Sequence, residues 1–175
     1  VHAAGYSKKD KISIVSFQGK YVDILQRPSV SLSIGLNKLK QLEATSYTPL
    51  ASALDKVLKM ITQERIKGIS VPIIIIMSDL GANVSKKNPD LNAQSNEEFM
   101  QIADELRQYA EKIAKKDVNL LLMKPKKSFA TRFLGVHPLS AQVIEKNFLK
   151  HGAKLFMFDA YDPDLAITRL KDILK

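Results

Sequence analysis

An α/β fold on a largely parallel sheet is the expectation, and three features carry it. Strand-like and helix-like patterns alternate along the chain, the order that gives a parallel sheet with crossover helices. Val71 to Met77 is a run apolar at every position, as expected of a strand covered on both faces. Lys11 to Phe17 and Tyr21 to Leu25 flank the turn Gly19-Lys20 and read as an antiparallel hairpin, which adds an antiparallel strand to the sheet.

The elements follow in order. Ile12, Ile14, Val15 and Phe17 make the first strand apolar, and Tyr21 to Leu25 is its partner. After Pro28, Leu32, Leu36 and Leu39 recur at helical spacing and predict a helix over about Ser31 to Leu42. Thr48 is placed as the N-cap of the next helix, with Pro49 at the first helical position, where its missing N–H costs nothing. Leu50, Leu54, Val57, Leu58 and Ile61 form the buried stripe of that helix. Pro72 is tolerable at the start of the Val71 to Met77 strand. A polar loop from Leu80 to Asn96 leads to a capping box, Ser95 and Glu98, ahead of Phe99, Ile102, Ala103, Leu106, Ala110 and Ile113. Val118 to Met123 is the next buried strand, Leu139 to Leu149 a helix stopped by Gly152, and Leu155 to Phe158 the last strand. Asp162-Pro163 opens a final helix with Ala166, Leu170, Ile173 and Leu174.

A chain of 175 residues is the size of one domain, here residues 1 to 175, with enough length to bury a core. Its 45% hydrophobic and 26% charged residues place it among globular proteins, and its apolar runs are strand-sized rather than membrane-sized. With no cysteine, disulfides, zinc–thiolate sites and thiol nucleophiles are excluded. The start, Val1-His2-Ala3-Ala4-Gly5, has neither the basic nor the apolar part of a secretory signal, and the expected location is cytoplasmic. A net charge of +9 favours an acidic partner. The basic clusters Lys8-Lys9, Lys86-Lys87 and Lys124-Pro125-Lys126-Lys127 read first as solvated loops. Only Phe129 and Phe133 lie near the third of them, so the aromatic interleaving of a single-strand binder is weak, and no nucleic acid or membrane is expected as partner.

Several enzyme classes drop out. The glycine spacing fits neither the dinucleotide fingerprint nor the phosphate-binding loop, and there is no Gly-x-Ser-x-Gly elbow. His2, His137 and His151 are far apart in sequence and show no paired metal-ligand spacing. What stands out is Thr48 at a helix start and Asp79 directly after the most hydrophobic strand. Ligands of open α/β sheets bind outside the carboxyl ends of the strands. A hydroxyl and a carboxylate on that rim are oxygen donors for a hard dication that keeps several waters. Each residue alone has a plain structural reading, as a helix start and as a turn cap.

Taken together, Lys11 to Phe17, the run Ser46-Tyr47-Thr48-Pro49-Leu50-Ala51-Ser52-Ala53-Leu54 and the run Ser78-Asp79-Leu80-Gly81-Ala82-Asn83 resemble the von Willebrand factor A domain at the C-terminal end of the magnesium chelatase D subunit. In that family these segments correspond to a strand, a Gly-Gly-Thr-Pro-Leu-Ala turn and a strand ending in Thr-Asp-Gly-Arg-Ala-Asn. The resemblance implies a three-layer, doubly wound sheet with one antiparallel edge strand. It also implies a metal-ion-dependent adhesion site in which Thr48 contacts Mg²⁺ (or Mn²⁺) through its hydroxyl and Asp79 acts directly or through water. A carboxylate of a partner protein fills the open position.

Ser46-Tyr47 stands where the family has two glycines, and Leu80 where it has one. The family's principal metal motif, Asp-x-Ser-x-Ser, follows the first central strand, and nothing here matches it. The expectation is therefore a chain that lacks this central strand and an incomplete metal site. The implied function is non-catalytic: a protein-binding domain of a magnesium or cobalt chelatase D-type subunit, working with an AAA+ ATPase in metal insertion into tetrapyrroles. Three alternatives stay open: an adaptor of this fold for another AAA+ ATPase, a small Mg²⁺-dependent phosphatase or hydrolase using Asp79 with Asp159 or Asp162, and, behind these, a nucleic-acid binder using the Lys124 to Lys127 loop.

Overall fold

The computed structural model describes residues 10–31, 33–42, 47–68, 71–90, 93–125 and 138–158. The expected final helix and the acids Asp159 and Asp162 lie outside these residues. The described elements run β1 (Ile12–Gln18), β2 (Tyr21–Ser29), α1 (Ser33–Leu39), α2 (Leu50–Ile66), β3 (Ile73–Met77), α3 (Asn96–Lys115), β4 (Asn119–Pro125), α4 (Pro138–Lys150) and β5 (Lys154–Phe158). β1 pairs antiparallel with β2 across Gly19, whose φ of 61° suits the tight turn, and the register slips on either side of Ile14. The expected second strand stops at Leu25, but β2 continues through Pro28; among the described residues β2 pairs with β1 alone, so a missing N–H is tolerated there.

β3, β4 and β5 form a separate parallel sheet in that order. Each crossover carries its helix, α3 between β3 and β4 and α4 between β4 and β5. Ser95 accepts the Glu98 N–H while Glu98 accepts the Ser95 N–H, the reciprocal cap expected from the sequence. At the far end of α4, Gly152 N–H reaches Leu149 O and Ala153 N–H reaches Phe148 O, a Schellman stop with Gly152 at φ 89°. Leu50, Leu54 and Leu58 of α2 share one core with Ile74 and Ile76 of β3, Leu120 and Leu122 of β4, and Ile144 and Phe148 of α4. Phe17 of β1 packs against the same core, and α2 also contacts β1 and β2, so one helix spans both sheets.

Two sequence expectations are corrected. β3 is not covered on both faces: Ile74 and Ile76 are buried, but Ile73, Ile75 and Met77 are 50%, 43% and 62% exposed. On that same face Leu121, Met123 and Phe156 are buried, so the covering stops short of β3. An unbroken apolar run marks a strand but does not say which faces are covered. α1, in turn, does not bury a leucine stripe, because Leu36 and Leu39 are exposed and Gly35 is its buried residue.

The reason lies in Gln26 of β2. Its amide donates to Ile12 O and Ser31 O, and its Oε1 accepts the Gly35 N–H at 2.9 Å. A Cβ at position 35 would meet Ile14 Cδ1 at 2.6 Å and Gln26 Oε1 at 2.7 Å, so only glycine brings the helix this close. Gln26→Leu keeps the volume but leaves the buried Gly35 N–H without its acceptor. It is expected to cost about 1–3 kcal/mol in urea unfolding, with α1 amides losing exchange protection first.

Candidate functional site

β3 ends at Met77, and the chain leaves the carboxyl rim through a tightly bonded loop. Ser78 N–H donates to Met123 O, Ser78 Oγ accepts the Leu80 N–H, and Asp79 Oδ1 accepts the Gly81 N–H at 3.0 Å. Leu80 is held at φ 64°, a conformation that glycine takes without strain and leucine rarely adopts. Its side chain is buried, which offsets the backbone cost. At the position where the resembling motif has glycine, the backbone thus has a glycine-like conformation.

Thr48 lies on the segment entering α2 and is partly buried. It does not cap the helix as expected: the N-cap is Pro49, without a side-chain cap. Pro49, at φ −82° and ψ 58°, forms an inverse γ-turn in which Leu50 N–H reaches Thr48 O. Proline's fixed φ favours this turn, and the threonine hydroxyl is left uncommitted to capping. Thr48 N–H donates instead to Oδ1 of Asn83 at 2.7 Å. Asn83 is buried, and its carbonyl also accepts the Ala93 N–H. The structure therefore brings the Thr48 segment against the loop that carries Asp79, and Asn83 makes the join. Asn83 closes the run Ser78 to Asn83, yet nothing local in the sequence marks its role, since a bond over 35 residues leaves no local pattern.

Two residues further on, the loop is fixed again. Glu105 of α3, itself buried, accepts Ser85 Oγ and the Lys86 N–H. Lys86 Nζ bonds both Asp55 of α2 and the Tyr109 hydroxyl, which donates to Asp55 Oδ1; Lys59 approaches the other Asp55 oxygen at 2.9 Å. Burial pushes the Asp55 carboxyl up, but hydrogen bonds from Lys86, Lys59 and Tyr109 outweigh it and bring it down to about 2. A carboxylate depressed in the folded state stabilises the fold above its ordinary pKa, and that stabilisation is lost as pH falls from about 4 toward 2. The wild-type chain is expected to lose on the order of 1–2 kcal/mol over this interval, and Asp55→Asn to flatten that part of a stability–pH profile.

Among the described residues, no group of three or more His, Asp or Glu gathers as a metal-binding cluster. The donor types at Thr48 and Asp79 suit a hydrated hard dication, but two ligands do not hold one without further carboxylates. The basic clusters are partly consumed internally, Lys86 by Asp55 and Lys124 by Glu145. Lys8, Lys9, Lys126, Lys127, Phe129, Phe133, His2 and His137 lie outside the described residues, and His151 is 3.9 Å from Glu111. No helix among the described residues is long and apolar enough to cross a membrane.

No family model matches the chain. It is 32% identical over 97 residues to the magnesium-chelatase 67 kDa subunit of Chlorobaculum tepidum, covering 54% of this chain and 16% of that protein. To the magnesium-chelatase 60 kDa subunit of Cereibacter sphaeroides it is 28% identical over 102 residues, 58% of this chain and 18% of the relative. An uncharacterized protein of Methanocaldococcus jannaschii is 29% identical over 119 residues, 67% of this chain and 62% of its own length. The chain thus spans less than a fifth of the chelatase subunits it matches. Among solved structures, the SpRpn10 VWA domain superposes with a TM-score of 0.55 at 8% identity, covering 87% of this chain and 67% of that one. The fold is von Willebrand factor A-like, and the chain resembles magnesium chelatase subunits.

Proposed function

We propose that this is a non-catalytic, metal-dependent protein-binding domain of a chelatase D-type subunit, serving magnesium or cobalt insertion into tetrapyrroles beside a cytoplasmic AAA+ ATPase. The observation that carries the reading is the join at the carboxyl rim, where Asn83 ties the Thr48 segment to the Asp79 loop on a von Willebrand A-like scaffold. A hydroxyl and a carboxylate there supply part of the oxygen set of a Mg²⁺ or Mn²⁺ site. The remaining ligands would come from an Asp-x-Ser-x-Ser segment on a strand lodged between β1 and β3, which the described residues leave as edges of two sheets. When bound, the dication would supply an open position for an acidic side chain of the ATPase, giving that contact strength and direction.

The test is retention of the genome's AAA+ ATPases on the immobilised chain extended by an upstream Asp-x-Ser-x-Ser strand, with Mg²⁺ and with chelator. Retention of a chelatase-type ATPase that is lost with chelator and with Asp79→Ala supports the reading. Retention indifferent to both overturns the metal-dependent part. A second reading, an adaptor for another AAA+ ATPase, draws on the archaeal relative, 62% of which is covered: there the matching region makes up most of a protein rather than a small part of a large subunit. Capture of an ATPase outside the chelatase type would select it.

A further inference from the structure

We propose that Asn83 is the positioning residue of the rim, a latch that fixes Thr48 relative to Asp79; the purpose of that fixing rests on the reading above, but the latch itself does not. The Thr48 N–H precedes α2 and has no helical acceptor, and Pro49 brings no N–H of its own. The amide oxygen of Asn83 meets that N–H at 2.7 Å from a buried position, where an unbonded amide would be costly. Thr48 O is bound in turn by Leu50 N–H, so the main chain of Thr48 is held on both sides. Asn83 is only four residues from Asp79, and the segment between is held by the Gly81 bond to Asp79, the Ala82 N–H to Leu80 O and the buried Leu80. Leu50, Ala51, Leu80 and Ala82 already place both segments in one core, and the bond fixes the Thr48 main chain itself to the Asp79 loop.

The bond uses only the Asn83 oxygen as acceptor, which separates latch from bulk. Asn83→Leu removes the acceptor, and Asn83→Asp keeps it. Amide exchange in the chain, read residue by residue by NMR, is the deciding measurement. In Asn83→Leu the Thr48 amide should exchange about tenfold faster, the effect of one lost hydrogen bond, while Leu54 and Leu58 within α2 keep their protection. Asn83→Asp should return Thr48 toward the wild-type rate. Unchanged exchange at Thr48, or equal acceleration throughout α2, overturns the proposal, the second outcome showing a general loss of stability instead. Mn²⁺ alone, added to the chain extended by an upstream Asp-x-Ser-x-Ser strand, then tests the functional reading separately. If it broadens neither Thr48 nor Asp79 resonances while the Asn83→Leu effect persists, the metal reading fails and the latch stands.

Discussion

Leu54→Ala is expected to lower the unfolding free energy by about 2–5 kcal/mol, the range for emptying a fully buried leucine site. Leu54 is 2% exposed and lies on the α2 stripe with Leu50 and Leu58, in one core with Ile74 and Ile76. α2 also contacts β1 and β2, so the cavity opens where one helix holds two sheets together. Neighbours can relax into it only by shifting that helix, which favours the upper part of the range. For a domain whose total stability is on the order of 5–15 kcal/mol, such a loss is a large share. Urea unfolding should show a lower midpoint at an unchanged slope. Ile66→Ala, at the exposed end of the same helix, should change stability by less than about 0.5 kcal/mol. A Leu54 effect as small as the Ile66 effect would mean that the core is not organised around α2 and β3.

How much of this was legible in the sequence depends on the range of the interaction. The Ser95–Glu98 cap and the Gly152 stop are set by residues three to five apart, and both appear where the pattern placed them. The α2 stripe is equally local, and Leu50, Leu54 and Leu58 are buried as its period requires. The face of α1 was not legible, because Gln26 and Gly35 settle it across a hairpin and override the leucine spacing. Likewise, the apolar run of β3 announced a strand but not that Ile73, Ile75 and Met77 would stand exposed. At the rim, Thr48 and Asp79 could be named from their places relative to helix and strand. The bonds that assemble the rim, Asn83 to Thr48 and Lys86 to Asp55, join residues more than thirty apart and have no periodic signature.

The exposed face of β3 leads to the prediction with the largest functional effect. That face presents Ile73, Ile75 and Met77, and the strand has none of the charges or bulges by which edge strands usually avoid pairing. Among the described residues β1 pairs with β2 alone, and α2 bridges from this hairpin to the β3 sheet. A strand lodged between β1 and β3 would pair with both and merge the two sheets, and the helix following it could cover Ile73, Ile75 and Met77. An Asp-x-Ser-x-Ser turn at the carboxyl end of that strand would meet the same rim as Thr48 and Asp79, adding one carboxylate and two hydroxyls where the described residues gather no metal-binding cluster. Joining such a segment ahead of Val1 is therefore expected to create Mn²⁺ binding that calorimetry detects and to protect the β3 amides from exchange. Thr48→Ala and Asp79→Ala should each weaken that binding about tenfold or more, since each removes an oxygen from the set that holds the ion or its water. Protection of β3 without metal binding would leave the strand in place and remove the adhesion site. Metal binding indifferent to both substitutions would put the ion elsewhere and leave Thr48 and Asp79 as parts of a scaffold, joined by Asn83 for stability alone.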